Sequence, residues 1–308
     1  MMASPYGLWG YLRLKAIASL LRLLTYVFTR SHFRPSSTCK RKEVRIPSRE
    51  KGRFIKAWIY HPPGYVDGGE PSGVVVNWHG GGYIIPNLGM DHAFCERVAR
   101  DTNLQVLDAD YQKGPERPFP GAVEDAEDVL RWVESQKRVF DIDRVALSGF
   151  SSGGNLALVA ASDLRRQFKN INIRAVYAFY PGVDLSITAE ERLVPEPIEP
   201  LPAWFQRFLA DAYVPRVQDR TSPRVSPTFA EASSFPERTM LFVCSGDVLA
   251  PETEAFGRKL EQAGCGVEVV KLEGVGHGFD KTIKPRLHNP EKTELAYSKV
   301  IKSLKATI

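Results

Sequence analysis

"LSGFSSGGNLALV", residues 147–159, sets a serine between glycines where one periodicity gives way to another. The run before it, "RVALSGF" (144–150), is short, apolar and strand-like. The stretch after it, "NLALVAASDLRRQF" (155–168), has helical character. Ser151 therefore falls on a strand-to-helix turn, inside Gly149-Phe150-Ser151-Ser152-Gly153-Gly154. A hydroxyl raised on such a turn can serve as a nucleophile. Gly149 and Gly153 let the chain segments approach closely, and Gly154 opens the helix start. The helix N-terminus behind the serine favours developing negative charge. The same glycine-serine pattern also occurs in plain loops, so the rest of the chain must supply a base, an acid and oxyanion donors.

Working outward, the alternation continues. Apolar runs read as strands in "GVVVNW" (73–78), "LQVLDADY" (104–111), "RAVYAFY" (174–180), "TMLFVCSG" (239–246) and "VEVVKLEG" (267–274). Helical stretches lie at 90–102, 122–137, 251–264 and 290–304. Two alternating segments, 43–49 and 53–62, precede the series and read as strands joined by a charged turn. Strand–helix repetition of this kind predicts an α/β fold with a mostly parallel central sheet flanked by helices. Residues 183–236 break the pattern with a proline-rich tract, an aromatic helical piece at 203–214 and further turns. They read as an insertion, placed to cover a site beyond the carboxyl ends of the strands.

A serine hydroxyl needs a base, most often a histidine held by a carboxylate. Of six histidines, His32 and His61 lie near the N-terminus, His92 in a helical stretch and His288 just before the last helix. His277 instead follows a strand in the glycine-rich loop "GVGHGF". Asp247 follows another strand, whereas Glu273 and Asp280 follow the wrong one for an acid. The order Ser151, Asp247, His277 is that of α/β-hydrolases. His79-Gly80-Gly81-Gly82, after the strand 73–78, supplies backbone N–H groups that no Cβ obstructs.

Together these motifs resemble the hormone-sensitive lipase family of serine esterases, within the α/β-hydrolase fold, from about residue 55 to the end. "HGGGY" (79–83), "DADYQKGPERPFPGAVED" (108–125), "SGDVLAPE" (245–252) and "GVGHGF" (274–279) carry the likeness. The resemblance implies carboxylic-ester hydrolysis without metal or organic cofactor. It makes Ser151 the nucleophile, His277 the base and Asp247 the orienting acid. The N–H groups of Gly81, Gly82 and Ser152 become the oxyanion hole, with His79 bracing the glycine loop. It also implies a helical cap, giving the division 1–45 (cap), 46–183 (core), 184–235 (cap insertion) and 236–308 (core). Phe150 stands where the family usually has Asp, Ser152 where it has Ala, and Pro251 where it has Asp. An acyltransferase or cyclase would keep the same triad, and a non-catalytic small-molecule receptor is known on the same scaffold.

Tyr83, Phe150, Trp204, Phe208 and Tyr213 are candidates for an apolar substrate pocket, with plain packing as their alternative. The expected substrate is a small to medium hydrophobic ester or lactone, in natural-product or xenobiotic metabolism. The net charge of +5 divides into +11 over residues 1–60 and −6 over the remainder. The basicity thus belongs to the N-terminal segment and not to a nucleic-acid groove. In "GLWGYLRLKAIASLLRLLTYVFTR" (7–30), helical spacing puts Lys15, Ser19 and Arg22 on one side. Leu14, Ile17, Leu21, Leu24 and Phe28 fall on the other. Charges make the run too short to span a membrane and break any signal-peptide core. Packing on the protein's own body is the first expectation for it. Peripheral contact with an acidic membrane and organelle targeting are the others. Cys39, Cys95, Cys244 and Cys265 have no metal spacing and read as reduced thiols, as in a cytoplasmic enzyme. A homodimer is compatible with an edge strand of such a sheet.

Overall fold

The computed structural model describes residues 6–29 and 40–308. His32 and Cys39 lie outside the described residues. Eight strands form one sheet: β1 (Arg41–Pro47), β2 (Phe54–Tyr60), β3 (Ser72–Trp78), β4 (Gln105–Ala109), β5 (Phe140–Phe150), β6 (Ile173–Phe179), β7 (Arg238–Cys244) and β8 (Val267–Leu272). Their order is β1-β2-β4-β3-β5-β6-β7-β8. β1 and β2 pair antiparallel, as do β2 and β4, and every other neighbour is parallel.

Period-two alternation decides the layers. Val74, Val76 and Trp78 of β3 face one core with Leu107, Leu147, Val176 and Leu241. Val75 faces the other with Val106, Ala146, Tyr177 and Phe242. The first core is closed by α3 (Gly121–Ser135), α4 (Ser152–Val159) and α6 (Ala250–Gln262). The second is closed by α2 (His92–Thr102) and α7 (Pro290–Thr307). The helix expected to run through 155–168 is not uniform: beyond Val159 it loosens into a π turn at 160–164 and tightens into a 3₁₀ turn at 165–167. Between β6 and β7 the chain leaves the sheet and forms α5 (Ala203–Tyr213) among short 3₁₀ turns.

The N-terminal helix α1 (Gly7–Thr29) packs on α5, with Leu14 and Ala18 buried against Ile84, Phe208 and Ala212. Lys15 and Arg22 face the same way while Ser19 is exposed, which corrects the expected division of its faces. Arg22 makes a bidentate pair with Glu116 at 2.6 and 2.9 Å, and Lys15 joins the same carboxylate. Arg22 also donates to the carbonyls of Ile84 and Gly114. Burial opposes ionisation of Glu116, but the two cations outweigh it and hold its pKa down at about 2. Leu24 and Phe28, expected to pack, are exposed, because the sector that meets α5 ends before them.

Candidate active site

Ser151 sits between β5 and α4 with φ +53°, a left-handed conformation rare for a side chain-bearing residue. Two backbone bonds pin it there: its N–H donates to Phe179 O at 2.8 Å, and its C=O accepts from Asn155 N–H at 2.9 Å. The flanking glycines are forced by space. A Cβ on Gly149 would lie 2.2 Å from Gly153 O, and one on Gly153 would lie 1.9 Å from Trp78 O. The turn is therefore wedged against the end of β3. Gly153→Ala is expected to destabilise the fold by about 3 kcal/mol or more, because both obstacles are backbone. Gly154→Ala, whose nearest atom would be 3.1 Å away, should cost less. Thermal melting of the two variants checks this ordering.

Three chain segments converge on this turn. His277 Nε2 lies 2.8 Å from Ser151 Oγ, and its Nδ1 lies 2.6 Å from Asp247 Oδ2. A carboxylate accepts only, so Nδ1 carries the proton and Nε2 is left as an acceptor for the serine hydroxyl. Burial opposes protonation of the imidazole. The charge and hydrogen bond of Asp247, with a contribution from Asp280, outweigh it and raise the His277 pKa above its ordinary value. Only the neutral ring can accept the serine proton, so if His277 acts as base kcat/KM should fall as pH drops through this raised pKa. Asp280→Asn removes one of the charges that raise it, so the acid limb of the kcat/KM profile should move to lower pH. An unmoved limb would show that Asp280 does not act on His277.

The glycine loop lies on the other side of the serine. A Cβ on Gly80 would be 3.4 Å from Ser151 Cβ. Gly81 and Gly82 adopt φ +132° and +60°. Ser152 opens α4, so its N–H has no acceptor within the helix. His79 is fully buried beneath the loop. Its Nε2 lies 2.9 Å from Asp110, its Nδ1 2.6 Å from Gly80 O, and its ring stacks on Tyr111. Asp110 is tied to Lys113 at 2.6 Å. Burial would raise the Asp110 carboxyl, but Lys113 and His79 hold it well below the usual carboxylate range.

Two apolar lobes meet at Ser151 and His277. Tyr83, Tyr213, Leu185 and Val248 line the first, and Ile85, Met90, Phe150 and Tyr180 the second. Leu209 of α5 reaches both. Tyr83 stacks on Tyr213 at 3.6 Å and donates to Asn155. Trp204 and Phe208 line neither lobe. Trp204 is 55% exposed at the start of α5, and Phe208 is turned into the contact with α1. The face of α5 toward the serine carries Leu209 instead. Phe150 is buried, stacked on Phe179 at 4.3 Å, with the ammonium of Lys281 3.9 Å above its ring.

Sequence reasoning also missed the polar group beneath the second lobe. Lys281 bridges Asp91 at 3.1 Å and Asp280 at 3.2 Å, and Asp280 accepts hydrogen bonds from Tyr180 and Tyr297. The one available signal was Asp280 following His277 by three residues. Lys281 is the neighbour of Asp280 in sequence, whereas Asp91, Tyr180 and Tyr297 come from other segments.

A hydroxyl, an imidazole and a carboxylate in series beside a glycine loop define a hydrolase that works through an activated serine. Residues 75–281 match the family described as having the alpha/beta hydrolase fold. The chain is similar to ethyl acetate hydrolase of Pseudomonas putida, at 30% identity over 77% of this chain and 74% of that protein. It is 33% identical to the carboxylic ester hydrolase LipN of Mycobacterium tuberculosis, over 73% of this chain and 61% of LipN. The solved esterase of the hyperthermophilic archaeon Pyrobaculum calidifontis superimposes with a TM-score of 0.77 at 28% identity, over 95% and 93% of the two chains. The chain belongs to the α/β-hydrolase family, among its carboxylesterases.

Proposed function

We propose that the protein hydrolyses a hydrophobic carboxylic ester or lactone of small to medium size through an acyl-enzyme on Ser151. One observation carries this reading: His277 bridges Asp247 and Ser151 where two apolar lobes meet. Ser151 Oγ attacks the ester carbonyl as His277 Nε2 takes its proton. The oxyanion is met by the N–H groups of Gly81, Gly82 and Ser152. His277 then gives the proton to the leaving alkoxide, and the alcohol departs. Water loses a proton to the same nitrogen, attacks the acyl carbonyl and releases the acid, regenerating Ser151. Lobes on both sides of the serine provide separate room for acyl and alcohol parts.

The test is labelling with a serine-directed fluorophosphonate, followed by a series of chromogenic esters of increasing acyl length. Stoichiometric modification of Ser151 and a profile with a maximum are expected. Modification elsewhere would overturn the acyl-enzyme, and a flat profile would overturn the shaped apolar site.

A further inference from the structure

The N-terminal helix is apolar on both sides. Its polar groups Lys15 and Arg22 are spent on Glu116 against the protein, and Tyr6, one residue before the helix, donates to Ala212 O. Its outward half carries Leu8, Trp9, Leu12, Leu20, Leu23 and Val27, all exposed, with Trp9 at 82%. At 100° per residue these fall in one sector, in which only Arg13 and Ser19 are polar. Among the described residues, no helix is long and apolar enough to cross a membrane. An exposed apolar stripe about 30 Å long on a folded protein marks a contact surface.

Charge says what kind. Residues 1–60 carry a net +11, and the exposed run Lys40-Arg41-Lys42 opens β1. That run lies close to the end of α1. Thr25 and Tyr26 share a cleft with Trp58, whose ring carries the Arg41 guanidinium at 4.1 Å. Among the described residues Arg13, Lys40, Arg41 and Lys42 have no acidic partner. A second copy seated on the stripe would set this positive segment against itself. An anionic lipid surface satisfies both features, taking the apolar side chains below the headgroups and the basic run among them.

We propose that the outward face of α1 and the basic run at 40–42 dock the protein on an anionic membrane surface. The inward face of α1 shares an apolar cluster with Ile85, Phe205 and Leu209, which line the second lobe. Docking therefore places that wall of the lobe beside a phase in which hydrophobic esters concentrate. This placement is independent of the chemistry at Ser151.

The test is sedimentation of the full chain with vesicles of phosphatidylcholine alone or mixed with phosphatidylserine. The protein should pellet with the mixed vesicles and stay in solution with phosphatidylcholine, and raised salt should release it. Leu12→Glu with Leu23→Glu should abolish pelleting. Lys42→Gln, on an exposed side chain, should weaken it about fivefold. Both should hydrolyse a water-soluble ester at the parent rate. Absence of pelleting, or equal pelleting with both vesicle types, would overturn the proposal. So would a light-scattering mass of two chains that falls to one in the leucine double variant, since a second copy would then cover the face.

Discussion

Ser151→Ala is expected to lower kcat/KM for a chromogenic short-chain ester by about 10⁴- to 10⁶-fold while leaving the fold intact. The size of the loss follows from what Oγ does. It is the atom 2.8 Å from His277 Nε2, and no other hydroxyl is brought to that nitrogen among the described hydrogen bonds. Without it, water must attack directly, helped only by the oxyanion donors and the imidazole. The fold should survive because the backbone bonds of residue 151, to Phe179 and Asn155, do not involve the side chain. Alanine meets the same positive φ that serine already tolerates there. Turnover and thermal melting on one preparation separate the two effects. Undiminished turnover in a folded variant would remove Ser151 from the mechanism.

How far the sequence carried the structure depends on whether a feature is local. The strand before Ser151 and the helix after it were legible because apolar period and glycine placement both act within a few residues. Strand–helix alternation implied a mostly parallel sheet, and so that Ser151, Asp247 and His277 leave its strands at the same edge, but it did not give the strand order, in which β4 lies between β2 and β3. Tertiary choices were not legible. Helical spacing says which residues of α1 share a side, but not that Glu116 would draw Lys15 and Arg22 inward. In α5 the substitution of Leu209 for Phe208 at the lobe is a rotation of about 100°. Composition does not contain that angle, because either residue could fill an apolar lining. Phe150 stood out as a departure, but its partner Lys281 is 131 positions away, and a lone lysine carries no signal.

Asp247→Asn should lower kcat by about 10⁴-fold, although it changes the shape of the side chain hardly at all. The reason lies in the second oxygen of the carboxylate. Leu249 N–H donates to Asp247 Oδ1 at 3.1 Å, so an asparagine would place its carbonyl oxygen there. Its NH₂ would then face His277 Nδ1, where Oδ2 now accepts at 2.6 Å. A donor at that position requires Nδ1 to be the bare nitrogen. The ring proton moves to Nε2, which can then no longer take the proton of Ser151. Losing the negative charge also removes the main support for the raised pKa of His277. Asp247→Ala separates tautomer from charge, since it loses the same charge but imposes no donor on Nδ1. Asparagine should therefore be at least as damaging as alanine, despite being the closer mimic. Steady-state kinetics of both variants, with Tm as a control for folding, decide it. If asparagine retained clearly more activity than alanine, shape and not proton placement would be what Asp247 contributes.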